Sequence, residues 1–109
     1  MQMSESEFSK AAGIALASIE RSIDELELDC ECTFKGDGIL QIEFDDGAKF
    51  ILNRHLAARE IWLAAPKGGI HFKFDNGRWI GTRDQRTLGE WLGELLSEHA
   101  RAVIRLKID

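Results

Sequence analysis

Apolar positions recur along this chain with two different periods, and the places where the period changes divide it into elements. Phe8, Ala12, Ala15, Leu16, Ile19, Ile23 and Leu26 follow one another at three- and four-residue spacing, which places them on one stripe of a helix. Ser4 with Glu7 has the form of a capping box, each side chain meeting an unpaired backbone amide of the first turn. The pattern predicts a helix over residues 4–26. From Leu28 the period becomes two: Leu28, Cys30, Cys32 and Phe34 share one face, and Asp29, Glu31, Thr33 and Lys35 the other. Gly36-Asp37-Gly38 supplies turn chemistry, and a second strand then puts Leu40, Ile42 and Phe44 inward, with Gln41 and Glu43 outward.

Alternation continues. Asp46-Gly47 marks a turn before Ala48, Phe50 and Leu52, which alternate with Lys49, Ile51 and Asn53 in a third strand. Ile61 and Leu63 mark a fourth, with Trp62 and Ala64 on its other face. Pro66 and Gly68-Gly69 break the chain before Ile70, Phe72 and Phe74, and Asp75-Asn76-Gly77 turns it into a short sixth strand with Trp79 and Ile80. Thr87 and Glu90 make a second capping box, opening a helix whose stripe is Leu88, Trp91, Leu92, Leu95, Leu96 and His99. Val103, Ile104, Leu106 and Ile108 form a tail able to close over the core. Consecutive strands joined by short turns give an antiparallel sheet, and two one-sided helices cover one face of it. The expected fold is α+β, a two-layer α/β sandwich of two helices on about six antiparallel strands, in one domain spanning residues 1–109.

Composition is ordinary except in how charge is distributed. The 109 residues are 44% hydrophobic and 30% charged, as in an ordinary globular protein, with a net charge of −5. The charge is polarised: residues 1–47 hold twelve Asp and Glu against three Lys and Arg, and residues 48–109 hold seven against eleven. Phosphate-backbone binding needs a concentrated basic face, so nucleic acid is not an expected partner. No signal or transit pattern opens the chain and no stretch approaches a membrane span, so a cytoplasmic protein without membrane contact is expected.

The acidic residues concentrate where the first helix gives way to the first strand. Glu20, Asp24, Glu25, Glu27, Asp29 and Glu31 fall within twelve residues. A helix C-terminus carries partial negative charge, and an exposed anion there costs roughly 0.3 to 1 kcal/mol. Arg21, three and four residues before Asp24 and Glu25, offsets part of that repulsion. If the apolar faces of the first two strands share a core, Glu31 lies opposite Gln41 or Glu43, and Asp29 opposite Glu43 or Asp45, so like charges also face each other across the sheet. Three readings remain open for this segment: a solvated face, a docking surface for a basic protein, or a surface for a metal cation.

Other candidate chemistry is sparse. Cys30 and Cys32 share the inward face with Leu28 and Phe34, where free cysteines behave as small hydrophobes, and no second ligand pair completes a tetrahedral site. His55, His71 and His99 are scattered in sequence, His71 alternating outward and His99 bordering the second helix stripe. No nucleophile has a recognisable base partner, and no phosphate-loop or dinucleotide fingerprint occurs, so an enzyme is not expected. Trp62 stands apart, because alternation sends its indole to the open face near Ile51 and Asn53, where an aromatic beside polar groups suits a protein contact unless a loop or the tail covers it.

The chain resembles a bacterial frataxin of the CyaY type over nearly its whole length. The resemblance is carried by the acidic first helix running into Asp29-x-Glu31, by Gly38-Ile39-Leu40-x-Ile42 and Phe44-x-x-Gly47, and most specifically by Asn53-Arg54 followed by Glu60-Ile61-Trp62-Leu63-Ala64. Gly68-Gly69-x-His71-Phe72, Trp79 and the Leu-rich second helix complete it. The chain departs from the family pattern at His55, where the family commonly has Gln, and at Ile70, where it has an aromatic residue.

The resemblance implies a protein of iron-sulfur cluster assembly that binds ferrous and ferric iron weakly, docks on the cysteine desulfurase and its scaffold, and modulates sulfur transfer or supplies iron. Any ferroxidase activity would be secondary. By position, the implied ridge is Glu20, Asp24, Glu25, Glu27, Asp29 and Glu31, with Glu43, Asp45 and Asp46 as further metal candidates. The implied partner-binding sheet surface is Asn53, Arg54 and Trp62. A monomer is expected, which iron could drive into oligomers. The alternative is an adaptor using the sheet face around Trp62 with no physiological metal role.

Overall fold

A computed structural model of the chain describes residues 3–36, 38–106 and 108. Its elements are α1 (Glu5–Leu26), β1 (Cys30–Phe34), β2 (Ile39–Phe44), β3 (Lys49–His55), β4 (Glu60–Ala65), β5 (Gly68–Asp75), β6 (Arg78–Gly81) and α2 (Leu88–Ala100). The strands pair in sequence order, each antiparallel to the next. Two helices and a six-stranded antiparallel sheet are thus the architecture that the change of period predicts.

Both capping boxes are formed. Ser4 Oγ accepts from the Glu7 amide at 3.1 Å while Glu7 Oε1 accepts from the Ser4 amide at 2.9 Å, and Thr87 and Glu90 exchange the same bonds. The core lies between the helices and one sheet face. Phe8, Leu16 and Ile19 of α1 and Leu88, Leu92 and Leu96 of α2 pack with Leu40, Ile42, Leu52, Ile61, Leu63 and Phe72, all buried. Ala12 and Ala15, also buried, have side chains short enough for α1 to lie close to the strands.

The tail closes over the core at one residue. Ile104 is buried and held by Ser97, whose Oγ accepts from the Ile104 amide at 2.9 Å and donates to Gly93 O at 2.6 Å. A β-carbon at Gly93 would come within 3.3 Å of Ile104 O, so a larger residue there would press on the tail. Val103 is 85% exposed, while Leu106 and Ile108 are partly buried against the core.

Four expectations need correction. Strand β1 starts at Cys30, two residues after the period change, although Leu28 still packs against the core. Phe34, expected inward, is 45% exposed, because it ends an edge strand with a neighbour on one side only. Leu26, expected in the α1 stripe, is 40% exposed; the buried stripe ends at Ile23. Gly68 and Gly69 do not interrupt the sheet but begin β5, opposite Ala65 and Ala64, and the turn is Pro66-Lys67. The expected Gly36-Asp37-Gly38 turn includes Asp37, which lies outside the described residues.

Helix α1 ends on Glu27, which has φ 52 and ψ 44, the left-handed conformation, and donates its amide to Asp24 O. Glycine reaches that conformation without steric cost, whereas other residues are disfavoured by roughly 1–2 kcal/mol. Glu27→Gly is therefore expected to stabilise the fold by about 1 kcal/mol in urea unfolding, relieving both backbone strain and an anion at the helix end.

Candidate functional site

Two surfaces hold most of the residues singled out by sequence. The first follows α1 into β1 and the β2–β3 turn. Glu20, Asp24, Glu27 and Glu31 border one groove between α1 and β1, with Arg21 the cation among its lining residues and Cys30 and Cys32 beside it. Glu27, Asp29, Asp45 and Asp46 border a second depression near the end of α2, with His99. Glu27 belongs to both, so the carboxylates form a continuous band. α1 has no basic residue in its last turn, and its C-terminal partial charge is left to repel these anions.

Glu25 and Glu43 stand apart from that band. Glu25 is exposed on α1 and lines neither depression. Glu43 faces Glu31 directly across β1 and β2, as the register argument predicts. Its charge is offset by Lys49, opposite it in β3, and by Gln41 Nε2, which donates to its carboxylate at 3.2 Å. The Asp45 amide donates to Asp29 O at 3.2 Å, bringing these two acidic residues together.

Asp46 is already engaged. It accepts from the Ala48 amide at 3.0 Å and lies 3.0 Å from His99 Nε2, and the Ala48 bond, then His99, holds its carboxyl below the usual aspartate range. Among the described residues, no group of three or more His, Cys, Asp and Glu is placed to hold a metal ion. The band therefore offers hard oxygen ligands without a preformed cage.

The thiols respond to this environment. Burial, reinforced by Cys30, Glu20 and Asp24, pushes the Cys32 thiol up to about 12, and burial with Asp45 and Asp29 raises Cys30 as well. Both are free and remain protonated at neutral pH, in keeping with a packing role.

The second surface is the open sheet face. Trp62 is opposite Asn53 in β3 and His71 in β5. Its ring stacks on His55, with centroids 4.0 Å apart and planes at 9°, and on His71, at 4.3 Å and 7°. Trp62 Nε1 donates to Glu60 Oε1 at 2.8 Å, and that carboxylate lies 3.6 Å from His71 Nδ1. The indole is half-buried between two imidazoles, while the tail lines a depression with α2 and β6 that does not include Trp62. Strand alternation carries His71 to this face, but only the register reveals that it and His55 flank Trp62. Arg54, expected on this surface with Asn53 and Trp62, belongs instead to the other side, because alternation along β3 turns it opposite to Asn53: it pairs with buried Ile61 and lies over Gly38, where a β-carbon would overlap its Nε.

These features define a two-layer α/β sandwich with an acidic margin and an open sheet face bearing a central tryptophan. The family model of the Frataxin-like domain matches residues 1–102. The chain is 42% identical over 105 residues to the iron-sulfur cluster assembly protein CyaY of Dechloromonas aromatica, covering 96% of this chain and 100% of that one. It is 46% identical over 95 residues to the protein of that name from Neisseria meningitidis serogroup B, covering 87% and 88%. Among solved structures, the frataxin of Psychromonas ingrahamii superposes with a TM-score of 0.89 at 27% identity, covering 96% of this chain and 99% of that one. A trimeric frataxin of the yeast Saccharomyces cerevisiae gives 0.70 at 28%, covering 83% and 78%. The chain belongs to the frataxin family, in its bacterial CyaY branch.

Two outcomes test this geometry. Iodoacetamide at neutral pH should alkylate Cys32 on the order of a hundredfold more slowly than a free thiol, and Glu20→Gln with Asp24→Asn should quicken the reaction. Trp62→Ala should remove the ring-current displacement of the His55 and His71 ring protons in NMR spectra; unchanged shifts would contradict the stack.

Proposed function

We propose that this protein acts in iron-sulfur cluster assembly by binding rather than by catalysis, docking its acidic band on a basic surface of the cysteine desulfurase and its scaffold and modulating sulfur transfer. The observation that carries this reading is the continuity of carboxylates from Glu20 through Glu27 to Asp29, Asp45 and Asp46 along one margin of the molecule. The names borne by its relatives support the process. Charge complementarity of this kind mainly raises the association rate, and makes binding sensitive to salt.

Iron fits the same margin as a weakly held cargo. Exposed carboxylates are hard ligands that suit iron and equally manganese, calcium or magnesium, so binding is weak and poorly selective. Metal and partner then share one surface. The stacked Trp62 supports a second contact, in which the open sheet face meets the scaffold.

The test is a titration of the purified protein into its cognate desulfurase, with and without ferrous iron, at two salt concentrations. The expected result is binding without iron that weakens about tenfold or more as salt rises. Binding that appears only after iron is added would overturn the docking reading and make metal delivery primary.

A further inference from the structure

The two edges of the sheet, β1 and β6, are finished differently. Along β6 the chain turns back: Ile80 forms a bridge with Thr87, and the Gly81 amide donates to Arg86 O at 2.7 Å. Beyond β1, no strand is paired among the described residues. The ladder fixes which of its backbone groups look outward. The Lys35 amide donates to Ile39 O at 2.9 Å and the Asp45 amide to Asp29 O at 3.2 Å, so the odd-numbered positions exchange bonds with β2. Antiparallel alternation then turns the N–H and C=O of Cys32 and Phe34 away from the sheet. The amide of Cys30 is already used, donated to Leu28 O at 2.8 Å.

This open edge runs beside the acidic groove, which has a volume of about 580 Å³ and is bordered by Glu20, Asp24, Glu27 and Glu31. Unpaired edge groups are a template for another strand. The surrounding charge selects which strand can use it. A second copy of this chain would bring its own Asp29 and Glu31 against the same residues, so like charge disfavours self-pairing. A cationic strand meets the opposite condition, and the partial negative charge of the α1 C-terminus adds to it.

We propose that the β1 edge is a strand-addition site for an extended basic segment of a partner protein, its main chain bonding to Cys32 and Phe34 and its cationic side chains entering the groove. Period two sets the sequence that fits: Lys or Arg at alternate positions turns towards Glu20, Asp24 and Glu27, and the residues between lie beside Glu31 and Thr33 on the open face. The segment needs about the five residues of β1. Exposed Phe34 offers an apolar contact at one end. This inference rests on the reading of the acidic band as a protein-docking surface and specifies how the partner is held.

The probe is a short acetylated and amidated peptide of alternating Lys and Thr, titrated into the full-length, isotope-labelled protein at low salt. Two controls carry N-methyl groups at every Lys or at every Thr, which leaves the charge intact and blocks one edge of the added strand. Binding of the parent peptide is expected to slow hydrogen exchange at the Cys32 and Phe34 amides about tenfold. One control should bind about tenfold more weakly than the other, because only one edge faces β1. No binding, equal binding of both controls, or unchanged exchange at Cys32 and Phe34 would overturn strand addition.

A second arm uses the natural partner. Cys32→Pro removes the outward amide, a change tolerated on edge strands, and should weaken desulfurase binding about tenfold; unchanged affinity in the folded variant would show that the partner does not use this edge. Should that variant fail to fold, the peptide arm decides with the unaltered chain. The peptide titration contains no desulfurase, so its failure leaves the docking reading to the salt titration, and failure there leaves the peptide result standing.

Discussion

A six-stranded antiparallel sheet covered on one face only imposes the same two-way sorting on every strand. Residues of one parity enter a core built with Phe8, Leu16 and Ile19 of α1 and the leucines of α2, and residues of the other parity remain at the surface. Sliding any strand by one position would exchange the two sets and expose the core, so burial pins the register. The register in turn decides the functional geometry. It sets Glu31 against Glu43 and brings Trp62 between its histidine neighbours.

The acidic margin costs stability in this arrangement. α1 ends without a basic residue, closes on a glutamate in the left-handed conformation, and runs directly into further carboxylates. Each term is small, on the order of 1 kcal/mol or less, and Arg21 in the groove and His99 beside Asp46 offset part of them. A chain whose only requirement was solubility could spread these charges over both helices. Concentrating them keeps one side of the molecule attractive to cations, whether a metal ion or a basic protein surface.

Most of the fold is legible in the sequence because burial leaves periodic traces. The capping residues Ser4, Glu7, Thr87 and Glu90, and the alternation of Leu40, Ile42, Leu52, Ile61 and Leu63, mark elements and faces without reference to tertiary structure. Periodicity does not say where the cover ends, and so it places Leu26 and Phe34 on the correct stripes but not at the correct depth. The acidic margin is also legible, since most of it is contiguous in sequence. Its division into two depressions sharing Glu27, and the separation of Glu25 and Glu43 from both, required the packing of α1 on β1. The His55–Trp62–His71 stack left no local signal, because its members come from three strands and meet only through register.

The docking role proposed for the acidic margin comes at the expense of stability. It is tested most directly by measuring folding stability and desulfurase affinity together in a variant with Asp24, Glu25 and Glu27 all changed to Lys. The expected result is a urea midpoint equal to or above that of the parent, with binding lost. A variant that keeps its affinity would contradict the docking role, and one that is markedly less stable would contradict the cost assigned to the carboxylates.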